Sequence, residues 1–293
     1  MRVYTRQLSV LLVAVVFMTA APCFLFANTS NWGATELEQL NSLCRQPTDS
    51  IVGCETDGAS KVLSHRNLNT PVVFLHGFSP QTVGGQKLRV ERYHYDKIPD
   101  AVATSADQDP FIVIPKGGEK ARFFGESDGL ISFISELHDR LCVSSESECA
   151  SLDEWKNQMV LIAHSAGGTA ALSQLVNSSL RPRTTIFLDG INSKASLEDA
   201  KKLVINFLNH ALESVENNGL LLNVPRLFFY YTPSYDDLHS PIERVVKKWL
   251  DDHNRFIQAY PDLQKVVVMM PVKTSHGDLP RTVLLQDLHT MMK

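Results

Sequence analysis

A chain of 293 residues, 44% hydrophobic and 20% charged, carries enough apolar material for one large domain with a substantial core. Its 28 basic and 32 acidic residues give a formal charge of -4 and form no basic stripe, so no nucleic acid is expected as a partner. The five cysteines include no C-x-x-C pair, which argues against a zinc site.

Arg2 and Arg6 precede an apolar run from Leu8 to Phe26, followed by polar NTSNW. That is the layout of a secretory signal peptide, residues 1–27, with cleavage after Ala27 and export to the periplasm or beyond. Two other readings use the same segment: a lipoprotein lipidated at Cys23, against which Pro22 argues, and an uncleaved membrane anchor. Cleavage would leave one domain from Asn28 to Lys293, opening with a polar extension to residue 69, and four cysteines, Cys44, Cys54, Cys142 and Cys149. In an exported chain these are expected to form two disulfides, most economically Cys44 with Cys54 and Cys142 with Cys149.

From there apolar runs alternate with helix-like segments. Strands are predicted at Pro71 to Leu75, Phe111 to Ile114, Met159 to Ala163, Thr185 to Leu188, Leu227 to Tyr231 and Val266 to Met270. Helices are predicted at Gly129 to Leu141, Gly167 to Val176, Ser196 to Glu216, Pro241 to Tyr260 and Pro280 to Met292. Short strands of β-branched and aromatic residues separated by helices imply a doubly wound α/β domain: a mostly parallel sheet with helices on both faces. The stretch from Gly77 to Pro110 has no strong periodicity and reads as a lid or binding loop.

Open α/β sheets bind ligands at the carboxyl ends of their strands. Ser165, in VLIAHSAGGTAAL, follows one such end and precedes a helix rich in small residues. That is the setting of a nucleophile elbow, G-x-S-x-G, with Ala163 in place of the first glycine and Gly167 retained. The competing reading of a serine at this point is an N-cap of the helix. As a nucleophile it needs a base, and of ten histidines His276, in the polar turn KTSHGDLPR between the last strand and the last helix, is the best placed. His164, beside the serine, is expected to point away from the turn. The base needs a carboxylate, and two follow strand ends: Asp189 in TTIFLDG and Asp236 in FFYYTPSYDD. Residue chemistry leaves that choice open. An oxyanion hole is expected from the N–H groups of Phe78, in HGF after the first strand, and Ala166.

With PVVFLHGF, IAHSAGG and SHGDLP in this order, the chain from Pro71 to the C-terminus resembles the α/β-hydrolase superfamily. The elbow looks like that of small bacterial lipases. TTIFLDG resembles the strand and acid of pancreatic-type lipases, which favours Asp189 over Asp236, although the DGIN that follows departs from their pattern and most of the superfamily would favour the Asp236 position. The resemblance implies hydrolysis of a small-molecule or lipid ester through Ser165, His276 and an aspartate, with transient contact to a lipid surface and neither metal nor organic cofactor. Acyl transfer to another acceptor, amide cleavage and a non-catalytic binding protein of the same fold are the competing readings.

Overall fold

The β-branched and aromatic runs that punctuate the sequence assemble into one twisted sheet, seen here in a computed structural model that describes residues 54–55, 67–75, 77, 110–115, 129–142, 150–178, 180–218 and 224–292. Its seven strands are β1 (Cys54–Glu55), β2 (Asn67–Leu75), β3 (Pro110–Pro115), β4 (Val160–His164), β5 (Thr184–Leu188), β6 (Arg226–Tyr231) and β7 (Val267–Pro271). They lie in the order β1-β3-β2-β4-β5-β6-β7. All neighbours run parallel except β1, which pairs antiparallel with the edge of β3.

Alternation along each strand sends side chains to two separate cores. On one face Val73, Leu75, Leu161, Ala163, Phe187, Leu227 and Phe229 pack against four helices. These are α1 (Gly129–Cys142), α3 (Ala166–Asn177), α4 (Lys194–Asn218) and α5 (Asp236–Asp252). On the other face Val72, Phe74, Val160, Ile162, Ile186, Leu188, Phe228 and Tyr230 meet Leu279, Val283 and Leu284 of the last helix, α7 (Leu279–Met292). Both faces are therefore covered, and the chain is a doubly wound α/β domain as its sequence predicts.

The winding runs in opposite directions from β2 and from β4. The chain leaving β2 crosses to β3 on one side, whereas the chain leaving β4 crosses through α3 to β5 on the other. Connections diverging in this way open a crevice at the carboxyl ends of the two strands. Gly77 follows the end of β2, and Ser165 follows the end of β4.

Four elements differ from the sequence reading, the first being the two-residue strand β1, which was not anticipated. Helix α2 (Leu152–Gln158) was not anticipated, although Ser151 and Glu154 form a capping box: the serine Oγ accepts from the Glu154 N–H at 3.3 Å, and Glu154 Oε2 accepts from the Ser151 N–H at 2.9 Å. Burial of Trp155 fixes that short helix to the body. The helix predicted from Pro241 instead starts at Asp236, with Pro241 inside it; Asp236 and Asp237 occupy its first turn, where negative charge is favoured. It also ends early, at His253, whose Nδ1 lies 2.8 Å from the Trp249 carbonyl, and a separate α6 (Asn254–Ala259) follows. The expected leader, both disulfide pairs (through Cys44 and Cys149) and Phe78 lie outside the described residues. No helix among the described residues is long and apolar enough to cross a membrane.

Candidate functional site

Strand β4 is fully buried and ends at His164, so the next residue must turn the chain sharply into α3. Ser165 does this at φ 52° and ψ -120°. Its own N–H reaches across to the Leu188 carbonyl of β5 at 3.0 Å, and its carbonyl accepts from Gly168 N–H at 2.9 Å. The hydroxyl makes no capping bond to the helix, so the role of an ordinary N-cap serine is not the one it plays. Among the described residues only Ser165 and Asp189 combine a side chain with positive φ. Backbone strain of this kind costs on the order of 1–3 kcal/mol per residue and persists where surrounding structure over-determines it.

Small residues make the turn possible. A methyl group on Gly77 would lie 2.9 Å from Ser165 Cβ and 3.2 Å from His164 Nδ1, so only glycine lets β2 end this close to the elbow. On the far side, a methyl on Gly168 would fall 2.3 Å from Gly190 Cα. Helix α3 thus rests directly on the backbone that follows Asp189. This close approach gives the glycine of DGIN its reason, at the point where the sequence departs from the lipase pattern.

Asp189 follows β5 at φ 47°, its N–H bonded to the Tyr230 carbonyl at 2.9 Å, and its side chain is wholly buried. Three donors surround the carboxylate. Thr232 N–H reaches Oδ1 at 2.7 Å, Thr232 Oγ1 reaches Oδ2 at 3.0 Å, and His276 Nδ1 lies 2.8 Å from Oδ2. A carboxylate ion only accepts, so the His276 proton sits on Nδ1 and the lone pair of Nε2 is left available as a base. Of the two acids left open by residue chemistry, Asp189 is the one bonded to His276. Asp236 instead begins α5, where its charge complements the helix N-terminus.

The imidazole of His276 is half exposed, and its loop is shaped by Ser275, whose Oγ donates to Asp278 Oδ2 at 2.7 Å and accepts from the Asp278 N–H at 3.2 Å. Two other rings pack against it: His164 at 4.7 Å between centroids and Tyr235 at 5.3 Å. Burial, and then the charge of Asp189, push the Tyr235 phenol above its usual range. Behind this layer His239 is wholly buried, stacked on Tyr231 at 4.2 Å, with Nδ1 2.9 Å from the Tyr235 carbonyl. Burial holds its pKa below the ordinary value, against the opposing pull of that carbonyl and of Asp189, Glu243 and Asp236.

The N–H of Ala166 opens α3, where the first N–H groups of a helix have no partner within it. Three residues around the site were not singled out from sequence: Thr232, Tyr235 and His164. Thr232 and Tyr235 lie in the TPSY stretch after β6, where the only signal was position at a strand end. His164 was expected to point away, and its side chain instead turns to the loop of His276. Among the described residues no group of three His, Cys, Asp or Glu side chains is arranged to hold a metal ion.

No protein-family model matches the chain, and neither does any curated protein. Among solved structures, that of the enterobactin hydrolase IroE in complex with DFP aligns over 76% of this chain and 82% of its own, at 14% identity and a TM-score of 0.39. At that identity and score the likeness stops short of any statement about function.

Proposed function

We propose that this protein is an exported serine hydrolase of the α/β-hydrolase type that cleaves a carboxylic ester, with Ser165 as nucleophile, His276 as general base and acid, and Asp189 as the orienting carboxylate. The observation that carries the reading is the pairing of a strained, uncapped Ser165 at the end of β4 with a histidine whose Nδ1 is 2.8 Å from a fully buried aspartate. In the proposed reaction Ser165 Oγ attacks the ester carbonyl carbon while its proton passes to His276 Nε2. The carbonyl oxygen becomes an oxyanion facing the Ala166 N–H, with the Phe78 N–H as the second donor expected from the sequence. Collapse expels the alcohol, which takes the proton from His276, and leaves an acyl group on Ser165. Water, deprotonated by the same Nε2, then attacks the acyl carbon; collapse breaks the bond to Ser165 Oγ, which takes the proton back from His276, and the acid is released. Asp189, held by the Thr232 N–H and hydroxyl, stabilises the imidazolium formed in each half of the cycle.

One domain from Asn28 onward, an N-terminal leader and access to lipid-borne esters belong to the same proposal. A fluorophosphonate probe tests it: the folded protein should be labelled covalently, and Ser165→Ala should not. Short p-nitrophenyl esters should be turned over without an added acceptor, which separates hydrolysis from acyl transfer. Absence of both labelling and turnover in folded protein would favour a binding protein instead.

A further inference from the structure

A base held only through Nδ1 can still pivot about that one bond, so a second anchor is needed to fix where Nε2 points. The His276 loop has one. In a helical start the carbonyl of residue 276 would be taken by the N–H four residues on, but that residue is Pro280, which has none. The neighbouring carbonyl, that of Ser275, is taken by the Leu279 N–H at 3.0 Å. The His276 carbonyl instead faces His164 Nε2 at 3.1 Å. A carbonyl only accepts, so His164 carries a proton on Nε2 and donates it. His164 is 3% exposed, it is the last residue of β4, and its ring packs against the His276 ring at 4.7 Å.

We propose that His164 is a positioning residue for the base: it ties the main chain of the His276 loop to the same strand end that sets Ser165, while Asp189 ties the imidazole to β5. The proposal rests on His276 being the base of the hydrolase proposed above. Its logic is geometric. Ser165 is covalently next to His164, so the distance between nucleophile and base is set through one peptide unit, one ring and one hydrogen bond. A displacement of about 1 Å between reacting groups costs on the order of a hundredfold in rate, which is the scale such an anchor guards against.

The test begins with the wild-type protein. Long-range nitrogen-proton NMR should find His164 as the Nε2–H tautomer, and a downfield proton for His276 Nδ1–H. Finding His164 protonated on Nδ1 alone overturns the proposal without any variant being needed. Next, His164→Phe keeps a ring but removes the donor. It should lower kcat on a p-nitrophenyl ester, and the rate of fluorophosphonate labelling, by about tenfold or more, leave KM nearly unchanged and speed exchange of the His276 Nδ1 proton. His164→Gln places an amide N–H near the position of Nε2 and should recover activity to within about threefold of wild type. A folded His164→Phe protein with wild-type labelling rate and an unaltered His276 proton overturns the proposal, as does a glutamine variant no better than phenylalanine. The two readings fail separately: wild-type protein that is never labelled removes the hydrolase, whereas the tautomer of His164 and the His276 proton are read independently of labelling.

Discussion

Replacing Asp189 by asparagine is nearly isosteric, so its effect reports on hydrogen-bond direction more than on packing. The carboxylate accepts from Thr232 N–H, Thr232 Oγ1 and His276 Nδ1, at 2.7, 3.0 and 2.8 Å, with no exposure to water. An amide can supply only one oxygen. Thr232 N–H cannot become an acceptor, so the amide oxygen stays at Oδ1 and the NH2 takes the place of Oδ2. The Thr232 hydroxyl can rotate to accept from it, but His276 must then also accept, through Nδ1, which moves its proton to Nε2. That tautomer has no lone pair on Nε2 with which to take the serine proton. The corresponding change in a serine-protease triad costs roughly 10⁴ in kcat, or about 5.5 kcal/mol of barrier. We predict a loss in kcat of that order for Asp189→Asn in p-nitrophenyl ester hydrolysis, with thermal stability reduced by only about 1–3 kcal/mol. Asp236→Asn should stay close to wild type. Activity of Asp189→Asn within about tenfold of wild type, or a larger loss for Asp236→Asn, would refute the reasoning.

Other consequences follow from the packing around the site. Gly168→Ala drives a methyl into the backbone of Gly190, to 2.3 Å from Cα and 2.4 Å from its oxygen, so it should cost about 1–3 kcal/mol by denaturant unfolding and separate Asp189 from the elbow; an unchanged midpoint would contradict this. Thr232→Val removes the hydroxyl donor from a buried carboxylate and keeps its N–H, for an expected loss near 2 kcal/mol, with Thr232→Ser retaining most of the stability. The depressed pKa of buried His239 has a definite sign. The unfolded chain takes up a proton near the ordinary value of 6.5 while the folded chain does not, so this contribution is complete above 6.5 and is lost as pH falls below it toward the folded value. Tm measured against pH should therefore drop less steeply below 6.5 in His239→Phe than in wild type, and identical slopes would be evidence against a neutral buried histidine.

Six of the seven strands were legible as short runs of β-branched or aromatic residues, the central ones buried along almost their whole length, whereas β1, two residues long, carries no such pattern. Ser165 and His276 were legible for a related reason: each lies at a strand end, and a strand end is a position that periodicity reveals. Residue chemistry did not separate Asp189 from Asp236, which satisfy the same rule, although the lipase resemblance favoured Asp189; what separates the two at His276 is three-dimensional. The pairing of Leu188 with Tyr230 brings Thr232 over Asp189 as a double donor, while the first turn of α5 claims Asp236. Pro241 misled because proline is common at helix starts, yet the two aspartates five and four residues earlier set the start. Helix α2 was overlooked although S-L-D-E spells its capping box, because seven residues are too few for an apolar period to stand out. His164 was discounted on local geometry alone; its partner is a carbonyl 112 residues away, freed by a proline whose effect no local pattern shows.

The claim on which the rest depends is that Ser165 is an activated nucleophile. Intact-protein mass spectrometry after exposure to a fluorophosphonate, with peptide mapping of the adduct, tests it most directly. The account predicts a single adduct on Ser165, abolished in Ser165→Ala and strongly slowed in Asp189→Asn, with the Ser165→Ala protein as stable as wild type because the hydroxyl caps nothing. A folded wild-type protein that acquires no adduct, or one whose adduct maps elsewhere and survives Ser165→Ala, would contradict it.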